Sequence, residues 1–402
     1  MYESEKSPLS WSKLRTRLLA GKNRINESDF EEMTRRIEQN CRPGSSSQNR
    51  RVLLVSSNGA GLGHLTRLSA ISRFFNGQSL IYTLSSAYHV LGKSSKEIVY
   101  FPSYGDLGLN GAVWNPLLKA HLGAVVKGYK PEMIIFDGTY VYRGVTTAAR
   151  QAGVPLIWLQ RGCWRDEVLR KSAQRQRPAE YVDGVVVPRD YGCVEAEPSH
   201  QGEVQAQYVN PVTLLGRSEL LERDDARRQL GLPRDRRLFL IQLGAGVVND
   251  TNQLKSVAIS AVRGLGEQWE PVLVANPLKK DFELQHDDVL TFSAYPVLKY
   301  LRAFDAAIFA AGYNSVQESV VSELPAIFVP NPQTKTDDQV RRAKGMAKRG
   351  LGMIATTVEE VECAVFEMGQ SDIRDAITQQ LRDTGVSNGA EEFEEKLNKF
   401  GF

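Results

Sequence analysis

The chain has 402 residues, which at roughly 100–200 residues per domain predicts two or three domains. Apolar residues make up 42% and charged residues 24%, a globular mix that excludes a chain disordered throughout. A formal net charge of +3 with pI near 8.5 is too mild to point to nucleic acid.

In chain order, residues 1–50 read as a polar helical arm ending in the linker Pro43-Gly44-Ser45-Ser46-Ser47. Trp11, Leu14 and Leu18 fall at helical spacing among Lys13, Arg15, Arg17, Lys22 and Arg24. That leaves peripheral contact with an anionic membrane open, although so short an apolar face favours packing on the protein's own body. Residues 51–215 alternate short apolar runs (51–56, 80–84, 98–101, 133–136, 156–159 and 184–187) with helix-length segments, beginning with 65–75. Ile-, Val- and aromatic-rich runs separated in this way predict parallel βαβ units. A polar stretch containing Gly231-Leu232-Pro233 marks an interdomain linker over 216–236. The alternation restarts over 237–370, with strands expected at 238–243, 271–275, 289–292, 306–309 and 326–329. Helices fit at 251–265, 297–304, 314–322 and 338–349. Residues 371–402 are charged and predict a C-terminal helix lying across a domain surface. The fold expected is α/β, with two doubly wound, Rossmann-like domains facing across a cleft and binding ligands at the carboxyl ends of their strands.

The four cysteines, Cys41, Cys163, Cys193 and Cys363, form no CxxC pair, so neither a zinc knuckle nor a thioredoxin-type site is indicated. At this density no disulfide framework is expected, in keeping with a reducing cytosol. The N-terminus lacks a signal-peptide core, and no apolar run approaches the ~20 residues that span a bilayer. We therefore expect a cytoplasmic protein, with the inner face of the membrane the alternative address.

The sharpest motif is Ser57-Asn58-Gly59-Ala60-Gly61-Leu62-Gly63-His64-Leu65-Thr66-Arg67, which follows a strand and opens a helix. Its backbone N–H groups around Asn58, Gly61 and Gly63, together with the helix N-terminus, suit an acceptor or phosphate. The spacing is GxGxG and no acid closes the next strand, which argues against NAD. His64 at the helix start is disfavoured as a cation and is the candidate general base. Asp137 ends the strand of residues 133–136, placed to orient His64, to bind acceptor hydroxyls or to cap the following helix. Arg161, just past the strand 156–159, is a candidate for a phosphate or carboxylate. In the second half, Gly244 and Gly246 form a weaker phosphate cradle. Gly312, Asn314, Ser315 and Glu318 form a strand–turn–helix whose acid suits a vicinal diol. Asp338 and Gln339 open the next helix and are placed either to read sugar hydroxyls or to cap it.

The Gly-rich loop with His64, the hinge at Leu230-Gly231-Leu232-Pro233 and the block from Gly312 to Gln339 together resemble GT-B-fold glycosyltransferases. The arrangement is most similar to the group containing the peptidoglycan N-acetylglucosaminyltransferase that converts lipid I to lipid II. The resemblance implies a nucleotide-sugar donor in the C-terminal domain, with Glu318 on the ribose, Gln339 on the donor sugar and Gly312, Asn314 and Ser315 at the diphosphate. It places His64 near the diphosphate and a small-molecule or lipid-linked acceptor in the N-terminal domain. The first loop reads NGAGLGHLTR rather than GGTGGH, and Arg342 stands where Asn is common. The expected activity is transfer of a sugar from a nucleotide sugar, with a UDP-sugar favoured and UDP-GlcNAc among the candidates. Transfer would proceed with inversion and with no cofactor or metal, since no DxD run ends a strand. The GHLTR portion is also similar to nucleotide-sugar hydrolases that release UDP, so hydrolysis is one alternative and a non-catalytic nucleotide-sugar-binding partner is another.

Overall fold

Strand β1 (Arg51–Ser56) carries Val52, Leu53, Leu54 and Val55 with no exposed surface on either face. A strand apolar on both faces needs cover on both sides. The structure, a computed structural model, describes residues 27–42, 50–57, 62–91, 98–161, 163–193, 200–201, 203–243, 251–275 and 288–402. In chain order the first lobe contains α1 (Glu27–Asn40), β1, α2 (Gly63–Phe74), β2 (Gln78–Thr83), β3 (Ile98–Tyr100), α3 (Gly111–Tyr129), β4 (Met133–Asp137), α4 (Arg143–Ala152), β5 (Leu156–Leu159), β6 (Gly184–Pro188), β7 (His200–Gln201) and β8 (Val204–Val209). Leu53 and Val55 share a core with Trp114, Leu118 and Val125 of α3, and Val52 and Leu54 with Leu65, Leu68 and Ile71 of α2. β1 is thus covered on both faces, as its composition demands.

The second lobe contains α5 (Arg223–Leu230), β9 (Arg237–Gln242), α6 (Thr251–Gly264), β10 (Trp269–Val274), β11 (Leu290–Phe292), β12 (Ala306–Ala310), α7 (Tyr313–Ser322), β13 (Ala326–Val329), α8 (Gln339–Lys348), β14 (Met353–Ile354), α9 (Val358–Met368) and α10 (Ser371–Asp383). The sheet orders are β3-β2-β1-β4-β5-β6-β8-β7 and β11-β10-β9-β12-β13-β14, parallel except for β7 against β8. Each contains the doubly wound order 3-2-1-4-5-6, whose crevice opens at the carboxyl ends of the first and fourth strands. Those pairs are β1 with β4 and β9 with β12, and they place the site.

Several elements differ from expectation. β8 (VQAQYV) lies near a sheet edge and alternates buried with open positions instead of forming an apolar run. Residues 297–303 form a 3-10 helix. The segment expected as a linker over 216–236 carries α5, and its Leu220, Ala226 and Leu232 are buried in the second core. Residues 371–402 form two helices: α10, on the second lobe, and α11 (Phe393–Asn398). Phe393 and Leu397 of α11 are buried in the first lobe's core. The chain therefore crosses between lobes near 214–220 and returns near 386–390. The crossings are bonded to each other, with Thr213 N–H donating to Asn388 Oδ1 at 3.2 Å and Asn388 Nδ2 donating to Thr213 O at 2.8 Å.

In the N-terminal arm, α1 lies on α3, with Ile37 against the core and Lys127 paired to Glu38 at 2.9 Å. Trp11, Leu14 and Leu18 lie outside the described residues. Contrary to the expectation from cysteine density, Cys163 and Cys193 form a disulfide with a Cα–Cα distance of 5.8 Å. They follow β5 and β6, neighbouring parallel strands whose ends deliver both loops to one place. Among the described residues no helix is long and apolar enough to cross a membrane.

Candidate functional site

At the first lobe's crevice, Ser56 of β1 lies beside Asp137 of β4. The Asp137 side chain is fully buried, yet its carboxylate is satisfied. His64 Nδ1 lies 2.7 Å from Oδ1, and Arg67 forks onto both oxygens through Nη2 and Nε, each at 2.9 Å. His64 and Arg67 stand one helical turn apart on α2, which puts them on one face. Burial alone would raise the Asp137 carboxyl, but Arg67 and His64 outweigh it and hold the group at about 2. Burial likewise pushes the His64 imidazole below its ordinary value, against the pull of Asp137 and with help from Arg161 and Arg67. His64 Nδ1 also lies 2.9 Å from Arg67 Nη2; the tautomer that donates from Nδ1 to the carboxylate would leave Nε2 as the basic nitrogen.

The same arginine reaches the other lobe. Arg67 Nη1 donates to Asn314 Oδ1 at 3.3 Å, and its guanidinium lies 5.2 Å from the Tyr313 ring centroid. Thr66 and Tyr295 hydroxyls meet at 3.0 Å. A Cβ on Gly63 would stand 3.7 Å from Asn314 Nδ2, so the first turns of α2 and α7 face each other. α7 follows β12 through Gly312, with Asn314 and Ser315 in its first turn and Glu318 one turn further. Both helix starts carry partial positive charge and unsatisfied N–H groups. Converging on one point, they are suited to a shared anion. Burial raises the half-buried Glu318 to about 7. Tyr295, near enough to Glu318 to feel its charge, is pushed up to about 12 by burial.

A second buried network locks the lobes beside this point. Arg342 of α8 is fully buried and donates to Asp190 Oδ2 at 2.6 Å, to Asp337 at 2.8 and 2.7 Å, and to the Ala311 carbonyl at 3.1 Å. Gln317 Nε2 donates to Asp190 Oδ1 at 3.0 Å and Gln317 Oε1 accepts from Tyr191 N–H at 3.1 Å. A loop past β5 pairs with the one before α8, Arg165 N–H donating to Thr336 O at 3.0 Å and Asp338 N–H to Cys163 O at 2.8 Å. Asp338 caps α8 by accepting from Arg341 N–H at 3.0 Å, and Gln339 Oε1 accepts from Asn331 N–H at 2.9 Å. The cap reading of Asp338 is therefore present in the structure. Cys163, Cys193 and Asp190 offer ligand atoms within 4.8 Å of one another. The sulfurs are spent on the disulfide and Asp190 on Arg342 and Gln317, so the group has little to offer a metal.

Among the expected site residues, the structure brings His64 and Asp137 into contact and links them to Asn314 through Arg67. Arg161 lies close enough to Arg67, Asp137, Asp337 and Arg342 to feel their charges. Asn58, Gly61, Gly244 and Gly246 lie outside the described residues. Sequence reasoning gave no role to Arg67, Asp190, Gln317, Tyr295 or Tyr313. Arg67 at three residues past His64 carried a usable signal; the others depend on contacts between lobes.

Residues 270–380 match the model of the glycosyltransferase family 28 C-terminal domain. The UDP-N-acetylglucosamine--N-acetylmuramyl-(pentapeptide) pyrophosphoryl-undecaprenol N-acetylglucosamine transferase of Symbiobacterium thermophilum is 26% identical over 239 residues, covering 57% of this chain and 59% of the relative. The enzyme of the same name from Nocardioides sp. is 28% identical over 238 residues, covering 58% and 61%. The chain thus spans about three fifths of the length of these curated relatives. Among solved structures, the glycotransferase of kitacinnamycin superposes with a TM-score of 0.60 at 15% identity, covering 88% of this chain and 100% of that one. Acinetobacter baumannii MurG superposes with a TM-score of 0.57 at 16% identity, covering 87% and 99%. The chain therefore has the GT-B fold of glycosyltransferases, and residues 270–380 of its second lobe are similar to the glycosyltransferase family 28 C-terminal domain.

Proposed function

We propose that the chain transfers a sugar from a nucleotide sugar to an acceptor hydroxyl, with inversion and without a metal. The donor on this reading is a UDP-sugar, UDP-GlcNAc being the sugar nucleotide named for the curated relatives. The observation that carries the proposal is the convergence of two helix N-termini beside a histidine–aspartate pair, with Glu318 one turn away. The diphosphate takes the N–H groups at Gly312, Asn314 and Ser315, with Gly244 and Gly246, which lie outside the described residues, as the further cradle that the sequence predicts. Glu318 accepts from the ribose diol. Gln339, its carbonyl spent on Asn331, offers its amide N–H to the sugar, and Asp338 stands beside it.

His64 Nε2 takes the acceptor hydroxyl proton as that oxygen attacks the anomeric carbon. The bond to the diphosphate breaks on the opposite face, and its electron pair leaves with the phosphate. Asp137 holds the imidazole and stabilises the imidazolium. The helix starts stabilise charge on the departing diphosphate. The acceptor, a small molecule or a lipid-linked sugar, occupies the first lobe around Asn58, Gly61, Gly63 and Arg161. Its use of a nucleotide sugar places the enzyme on the cytoplasmic side, with a lipid-linked acceptor bringing it to the inner membrane face. The test is UDP release from UDP-GlcNAc with and without an added lipid-linked sugar acceptor. Release that needs the acceptor and His64 supports transfer. Full-rate release without acceptor would move the assignment to a hydrolase.

A further inference from the structure

Three carbonyls of the loop that leads into α8 take their hydrogen bonds from one residue of the other lobe. Arg165, half-buried in the loop past β5, donates through Nε to Thr334 O at 2.9 Å, through Nη2 to Pro332 O and through its own N–H to Thr336 O at 3.0 Å. The pairing continues as an antiparallel bridge between Trp164 and Asp337 and closes with Asp338 N–H on Cys163 O at 2.8 Å.

The first lobe holds its side of this seam firmly. Cys163 is tied to Cys193 and has φ 48°, a left-handed conformation that a non-glycine residue keeps only where its surroundings enforce it. Trp164 is buried against Arg175, whose guanidinium lies 3.5 Å from the ring centroid. Arg165 is the N-cap residue of a short helix, Asp166–Lys171, and Asp166 meets Arg341 of α8 at 3.3 Å. On the second lobe, internal bonds of the same loop end on the proposed sugar readers. Thr334 Oγ1 donates to Asp337 O at 2.6 Å, and Gln339 Oε1 accepts from Asn331 N–H. The loop carrying Asp338 and Gln339 is thus seated by the lobe that does not hold the proposed diphosphate site.

We infer that Arg165 is a positioning residue for the donor sugar: from the first lobe it fixes the 332–336 loop, and through that loop the start of α8 that reads the sugar hydroxyls. This rests on the assignment of Asp338 and Gln339 to the sugar in the reading above. The diphosphate and ribose groups of that reading, Gly312, Asn314, Ser315 and Glu318, belong to the start and first turns of α7 and not to this loop. Arg165 therefore acts on the sugar half of the donor and leaves the nucleotide half alone. A displaced reader loses its hydrogen bonds to the sugar, while UDP keeps all of its own.

Calorimetric titration of the full chain with UDP and with UDP-GlcNAc separates the two halves. The parent is expected to bind the nucleotide sugar more tightly than UDP. Arg165→Ala is expected to weaken UDP-GlcNAc by about tenfold, the scale of one lost charged hydrogen bond, and UDP by less than about twofold. Arg165→Lys, whose ammonium can reach one of the two side-chain-bonded carbonyls, recovers part of the loss. Arg165 and the loop it holds are partly open to water, so the alanine variant is expected to melt like the parent; if it unfolds, the lysine variant decides by the same ratio. Undiminished UDP-GlcNAc affinity in Arg165→Ala overturns the proposal. Equal losses for both ligands overturn it too, and reduce Arg165 to a clasp between the lobes. If the parent itself binds UDP-GlcNAc no better than UDP, the sugar assignment of α8 fails instead. Deuterium uptake by residues 331–341 in the free protein, expected to rise in Arg165→Ala, then still decides whether Arg165 seats the loop.

Discussion

Arg67 donates to Asp137 in its own lobe and, through Nη1, to Asn314 Oδ1 of the other lobe at 3.3 Å. One guanidinium thus joins the proposed base pair to the helix start that would hold the donor. Removing it leaves the fully buried Asp137 carboxylate with His64 alone. Arg67→Ala is expected to lower stability by about 3–5 kcal/mol, the cost of stranding a buried charge. Arg67→Lys keeps the charge but loses the fork, and should fall between the two. Urea denaturation measures this; a loss below 1 kcal/mol for Arg67→Ala would show that the carboxylate finds another partner.

His64 must be neutral to accept a proton. Because burial lowers its pKa below the ordinary 6.5, the acid limb of kcat at saturating donor should lie below pH 6.5 and kcat should be flat above it. His64→Ala should cost about 10²–10⁴-fold in kcat and remove that limb. Steady-state rates from pH 5 to 8 check both, and unchanged turnover of His64→Ala would remove His64 from the mechanism.

Glu318 is raised to about 7 by burial, and a ribose diol binds best to its ionised form. UDP-GlcNAc affinity should therefore rise as pH increases from 6 to 8, an interval in which its diphosphate diester does not titrate. The effect on folding has the opposite sign. A carboxyl raised above its unfolded value contributes stability in full below pH 4.5 and loses it as pH rises through about 7. Glu318→Gln should flatten both dependences. Calorimetric titration and thermal melts read them separately.

The lobes meet backbone to backbone where α8 approaches the loop past β6. A methyl group on Gly345 would sit 1.9 Å from the Gly192 carbonyl oxygen. In a free helix, replacing Gly by Ala gains about 1 kcal/mol, but here the overlap involves main chain on both sides and cannot be relieved by a rotamer. Gly345→Ala is expected to lower stability by about 1–3 kcal/mol and to weaken donor binding by spreading the lobes. Small-angle scattering should show a larger radius of gyration with unchanged circular dichroism. A variant more stable than the parent would contradict the packing described.

The Cys163–Cys193 bridge closes a sequence separation of 30, for which chain entropy gives roughly 3–4 kcal/mol of stabilisation. Melting with and without dithiothreitol, against a Cys163→Ser/Cys193→Ser control that should not respond, measures it.

The strands that organise the site were legible because β1, β4, β9, β12 and β13 are buried on both faces and read as unbroken apolar runs. Asn314 and Glu318 were legible for a related reason: a glycine turn after such a run, followed by polar residues at helical spacing, is a crevice-facing helix start. β8 was not, because a strand near an open edge mixes Gln with Val and looks like loop. Arg67 could be seen in the motif but its role could not, since its partner Asn314 lies 247 residues away. Asp190, Gln317 and Arg342 acquire meaning only when two lobes close on them. The disulfide was hidden for the same reason, as two loops become neighbours only once β5 and β6 are paired.

The returning helix α11 has a mechanical consequence. A single connection would let the second lobe swivel and twist freely. Here two antiparallel passages lie side by side, laced through Thr213 and Asn388, so they act as one pivot pin. Any parting of the lobes would be a swing about that pin, and it would also have to break the buried Arg342–Asp190 pair that joins them beside it.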